Sequence, residues 1–294
     1  MDRFLRDRKA ILLFVGPALL LYTVILLVPI VWSVGYTFYS GSPITGLKFS
    51  GWSNYLQLFH DRNFTESLVV SLKYAVIVTV GQIVFGLLLS MMYVFYIKRF
   101  SFLIRTLIFF PVVLPTVAVA QMFSKLFEIA PYPGLINGLF NVFHLHAWVQ
   151  PWLGQENTAF WVLCIMDVWR AVGFYAVLIY AGLVDIPGDI LEAAKLDGAA
   201  GWKLSRFVVL PLIRPILVSA IIFSLNGTLK VFDSPIALTG GGPGNATTTL
   251  SLYMYNAAFS YGEYGYGSTV AVFLLALSLF VTLLVYRSAR KDVA

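Results

Sequence analysis

Long apolar runs separated by short polar stretches dominate this sequence. From Ala10 to Leu47 there is no charged residue at all, and Ile11 to Val34 within it is long enough to cross a bilayer. A helix needs about 20 apolar residues for that. A second uncharged run covers Tyr74 to Ile97, a third Thr106 to Ser124, and another Tyr264 to Tyr286. Two more stretches are apolar but interrupted: Thr158 to Val184 holds Asp167 and Arg170, and Pro211 to Leu238 holds Arg214, Lys230 and Asp233. The pattern predicts an all-α membrane protein with six transmembrane helices. Lipid offers no partner to unpaired backbone groups, which rules out irregular spans. The short alternating segments of a β-barrel are missing. A single membrane domain fills residues 1–294. It has a tail at 1–10, the six helices within 11–287 and one long polar loop at 185–211.

Composition agrees. Hydrophobic residues make up 59% and charged residues 12%, against about a quarter charged in soluble domains. The net charge of +6 is no nucleic-acid signal, because it sorts by side. With the N-terminus inside, the inside segments hold Arg3, Arg6, Arg8, Lys9, Lys98, Arg99, Arg105, Lys195, Lys203, Arg206, Arg214, Arg287, Arg290 and Lys291. The outer loops hold Lys48, Arg62 and Lys125. That ratio of 14 to 3 places both termini in the cytoplasm. The charged start followed by an apolar run reads as a retained first helix, since the run is too long for a signal peptide. The one cysteine, Cys164, excludes an internal disulfide and a cysteine metal site.

The long inside segment, Asp185 to Arg214, is richer than a plain connection. Ile190, Leu191 and Ala194 group on one side before Gly198, and Trp202, Leu204, Phe207 and Val208 follow it. Gly198 permits a chain reversal, and Pro211 suits the first turn of the fifth span. A helix–turn–helix at the cytoplasmic surface is expected. By periodicity alone, such a segment could equally lie flat on lipid.

The motif Glu192-Ala193-Ala194, then Asp197-Gly198-Ala199, then Val208, Leu210 and Pro211 resembles the cytoplasmic signature of carbohydrate-type permease subunits of binding-protein-dependent ABC importers. Val208 stands where that family has Ile. Leu238-Thr239-Gly240-Gly241-Gly242-Pro243, Gly51-Trp52-Ser53-Asn54-Tyr55 and Gly134-Leu135-Ile136-Asn137 resemble outer-loop motifs of the first maltose and glycerol-phosphate permease subunits. The resemblance covers nearly the whole chain and implies a bacterial inner-membrane importer of a sugar-like solute. The 185–211 loop would couple to a cytoplasmic ATPase dimer, which carries the ATP and Mg. A second homologous permease would complete the path, and an external solute-binding protein would deliver the solute. The chain has no Gly-x-x-x-x-Gly-Lys-Ser/Thr loop of its own, so no cofactor and no enzymatic activity are expected of it.

Charges inside a membrane are costly, and they face a cavity or pair with one another. Asp167 and Arg170 lie three apart, as do Lys230 and Asp233. Each pair is either a solute site or an internal salt bridge. By position in the resembling family, the pocket residues are Asp167, Trp169, Arg170, Phe174, Ser224 and Thr228. An ion-coupled secondary transporter using Asp167 or Asp233 is the rival reading. His144 and His146 are too few for a metal site. Pro111 and Pro115 are expected to kink the third span, and Gly81 and Gly86 to let helices approach closely.

Overall fold

The computed structural model describes residues 8–44, 46–95, 97 and 101–290. Arg3, Arg6, Lys98, Arg99 and Lys291 of the charge count, and most of the expected 1–10 tail, lie outside the described residues. The chain is mainly helical. Among the described residues, four helices are long and apolar enough to span a membrane: α1 (Leu12–Tyr36), α3 (Arg62–Phe95), α7 (Glu156–Val184) and α13, whose spanning part is Tyr264–Ser288. Two bent helix pairs raise the number to as many as six.

The third stretch kinks, as its prolines lead one to expect, and the fifth bends as well. The third stretch divides into α4 (Ser101–Val113) and α5 (Thr116–Leu126), which meet at 98°. Pro115 is the cause. It donates no amide hydrogen bond, disfavours helix at Leu114 before it, and itself takes extended torsions (φ −56°, ψ 132°). The fifth stretch divides into α9 (Trp202–Leu212) and α10 (Arg214–Leu229), which meet at 71°. Pro211 therefore lies within the last turn of α9, which breaks at Ile213, and it is Pro215 that occupies the first turn of α10. The same stretch stops at Leu229. Lys230 caps α10, and Asp233 opens the short helix α11 (Asp233–Leu238), so the two charges do not share a helix.

The chain forms two compact units, residues 1–64 with 253–275 and residues 65–252 with 276–294. The first contains α1, a hairpin of β1 (Tyr39–Ser42) and β2 (Gly46–Phe49), and α2 (Ser53–His60). Asp61 accepts hydrogen bonds from the Tyr253 and Tyr266 hydroxyls and from the Asn63 amide. Burial pushes its carboxyl up, but these bonds outweigh burial and hold it below the usual 3.8. Gly265 packs so close to Tyr39 that a Cβ would sit 1.7 Å from its carbonyl oxygen.

In the second unit α3 lies against α7. A Cβ on Gly81 would meet Val168 at 2.8 Å and one on Gly86 would meet Tyr175 at 3.0 Å, so both glycines do allow close approach. Gly173 of α7 meets the backbone of α4, where a Cβ would be 2.2 Å from the Ile108 carbonyl oxygen. One core joins Tyr74, Val78, Phe123, Leu163 and Met166. Another joins Ile179 and Leu183 at the end of α7 to Leu204 and Val209 of α9 and to Ile213.

Candidate functional site

A polar centre lies between α3, α7, α10 and α11. Asp167 is 2% exposed. Its carboxylate accepts from Tyr74 Oη at 2.5 Å, Ser234 Oγ at 2.8 Å and Arg170 Nε at 3.3 Å. A buried carboxylate needs this complement of donors. The spacing of three residues does bring Asp167 and Arg170 together on α7 as an ion pair. Arg170 is partly exposed, and among the described residues nothing bonds its two terminal nitrogens.

Ser224 and Thr228 belong to an adjoining network. Ser224 Oγ lies 2.7 Å from Gln82 Oε1 and 2.9 Å from Thr79 Oγ1, and Thr228 donates to the Ser224 carbonyl at 2.8 Å. Gln82 joins the networks, because its Nε2 reaches the Asp167 carbonyl at 3.3 Å. Sequence reasoning missed Tyr74, Thr79, Gln82 and Ser234, since single polar residues in apolar runs carry no pattern.

Two of the six expected pocket residues lie elsewhere. Trp169 points away from Arg170 on α7. It packs 5.7 Å from Phe123 and lines an apolar cavity of about 500 Å³ with Ile77, Phe85 and Trp161. Phe174 is exposed and stands edge-on to Tyr175. Lys230 and Asp233 are exposed and make no ion pair with each other. Among the described residues no group of three metal-ligating side chains exists.

The polar loop forms a second feature. Helix α8 (Gly188–Leu196) ends at Asp197, and Gly198 turns the chain with φ +85°. The Gly198 amide bonds to the Lys195 carbonyl at 3.0 Å, and the Ala199 amide to the Ala194 carbonyl at 2.9 Å. That pair of bonds is a Schellman cap, which favours glycine at its left-handed position. Ala194 and Ala199 pack inward with Leu191, Val208 and Leu210 onto the core of Leu204 and Val209. The outward side carries Glu192, Ala193, Asp197 and Pro211. It also exposes apolar groups, among them Leu196 (89% exposed), Trp202 and Phe207.

Two of the loop motifs owe their form to asparagine. Asn137, fully buried, donates to the Glu128 and Gln150 carbonyls and accepts from Trp152 Nε1. Asn54 donates to the Thr37 and Tyr39 carbonyls, both at 2.8 Å.

Residues 82–291 match the family described as the binding-protein-dependent transport system inner membrane component. The chain is 34% identical over 293 residues to the sulfoquinovosyl glycerol transport system permease protein SmoG of Agrobacterium fabrum, covering 98% of this chain and 93% of that one. It is 31% identical over 297 residues to the trehalose/maltose transport system permease protein MalF of Thermococcus litoralis, covering 98% and 96%. Its fold matches a chain of a bacterial ABC transporter involved in import of the acidic polysaccharide alginate. The TM-score is 0.83 at 20% identity, with 98% and 99% of the two chains covered. The chain therefore belongs to the family of inner membrane components of binding-protein-dependent transport systems and is a multi-pass membrane permease.

Proposed function

We propose that this chain is the membrane-spanning permease subunit of an ATP-driven ABC importer for a sugar or sugar-like solute handed over by an external binding protein. The observation that carries this reading is the capped turn at Gly198, which holds Glu192, Ala193 and Asp197 outward beside exposed Leu196, Trp202 and Phe207. An apolar surface on a polar loop marks a protein or membrane contact, and the outward acidic Glu192 and Asp197 favour a protein partner. A cytoplasmic ATPase dimer fits, binding the ATP and Mg while this chain binds no cofactor and catalyses nothing itself. The relatives named for trehalose/maltose and for sulfoquinovosyl glycerol support a sugar-like solute.

Each bent helix pair counts as one span in this reading, giving six with both termini in the cytoplasm of a bacterial cell. A second homologous permease completes the path. Solute hydroxyls are met by the free terminal nitrogens of Arg170, which Asp167 holds in place. Ser224 and Thr228 hold the helices behind it. Affinity purification in mild detergent tests the assembly. Recovery of a second permease and an ATPase dimer supports it, whereas a chain that is stable alone and moves solute without ATP would overturn it.

A further inference from the structure

We infer that the β1/β2 hairpin and helix α2 form a membrane-interface anchor, lying in the lipid headgroup layer where α1 ends and setting the depth of that helix. No residue in the apolar window of α1 is buried, and the contacts that hold the helix lie at its end, where Tyr36 stands edge-on to Tyr264 and Tyr39 packs against Gly265. The segment that follows is clamped to its end. Asn54 Nδ2 donates to the Thr37 and Tyr39 carbonyls, and Tyr55 Oη reaches Thr37 Oγ1 at 3.0 Å. The hairpin and α2 therefore move with the end of α1.

Both elements are two-faced. In the hairpin Tyr39 pairs with Phe49 and Ser40 with Lys48. Alternation along the strands puts the rings on one face and the polar pair on the other. In α2, Asn54 and Leu58 face inward, while Trp52, Leu56 and Phe59, spaced i, i+4, i+7, form an outward stripe. Phe49 is 74% exposed, Phe59 73% and Ile44 at the hairpin tip 96%. Aromatic rings of this kind concentrate at membrane–water boundaries. From Tyr39 to His60 the only charge is Lys48, a cation suited to lipid phosphate, and the apolar surface continues directly from that of α1. Lipid is therefore the occupant, rather than a soluble protein. The inference rests on α1 crossing the membrane and not on the importer reading.

The test uses the assembled complex in nanodiscs, with an environment-sensitive fluorophore on Phe59→Cys or Leu56→Cys, and on Gln57→Cys as the polar-side control. The native Cys164 is buried. Lipids nitroxide-labelled just below the headgroup are expected to quench the probes at 56 and 59 and to spare the probe at 57, with or without binding protein. Equal quenching at all three positions, none at 56 and 59, or relief of quenching by the binding protein would overturn the inference. That the fluorophore variants stay folded is checked by a melting temperature in detergent equal to that of the parent protein.

Discussion

Replacing Gly198 separates the turn's geometry from its surroundings. The residue sits at φ +85°, and a Cβ built there would meet nothing within 4 Å of this chain. Gly198→Ala therefore creates no internal clash, and its cost is conformational. Holding a residue with a Cβ in the left-handed region costs about 1–2 kcal/mol, which lowers the population of the ordered turn by about 5–30-fold. Asparagine tolerates that region better than alanine, so Gly198→Asn should recover much of the loss although its side chain is larger. The assay is ATP hydrolysis and solute uptake measured in parallel on the full complex in proteoliposomes. Solute moved per ATP should fall for Ala, by up to the same factor, and return toward wild type for Asn. Wild-type coupling in Gly198→Ala would refute the reasoning. Asn as damaging as Ala would show that any side chain at this position is harmful, whatever its backbone preference.

Arg170→Ala should abolish uptake while the complex still assembles, because Asp167 keeps its bonds to Tyr74 and Ser234; loss of the purified complex would make the pair a purely structural salt bridge. Gly173→Val should prevent stable assembly, since even a Cβ would lie 2.2 Å from the Ile108 carbonyl oxygen and overpacking costs about 1–3 kcal/mol or more; a normal melting temperature in detergent would contradict the close α4–α7 contact. Asp61 has a folded pKa below its unfolded value near 3.8. Its contribution is therefore present above that value and lost as pH falls through the lower folded one. Melting temperature should be insensitive to this group between about pH 5 and 7, and the acid-side loss should shrink in Asp61→Asn.

The long helices were legible because α1, α3 and α13 each contain a long uncharged apolar run, and hydropathy reads such runs directly. The helix–turn–helix at 188–212 was legible because Gly198 divides two periodic segments. Its reason became visible only in the backbone: the amides of Gly198 and Ala199 close the cap. Pro115 marked the first bend, but its size and the bend in the fifth stretch were less legible. Hydropathy carries no direction, so a run broken by 98° at Pro115 scores like a straight one. The pocket was half legible. Asp167 and Arg170 stand out as charges, whereas Gln82 and Tyr74, which complete the network from α3, are ordinary residues in an apolar run until α3 packs against α7. Trp169 was grouped with Arg170 by position in the resembling family, but adjacent residues point about 100° apart on a helix.

Reconstituted uptake tests the central claim most directly. The chain, with a second permease and ATPase subunits, is placed in proteoliposomes with ATP inside or outside and with or without binding protein, and entry of labelled sugar is followed. Uptake should require binding protein on one side and ATP on the other, where the Gly198 turn lies. Uptake by the chain without ATP, driven by an ion gradient alone, would contradict the account.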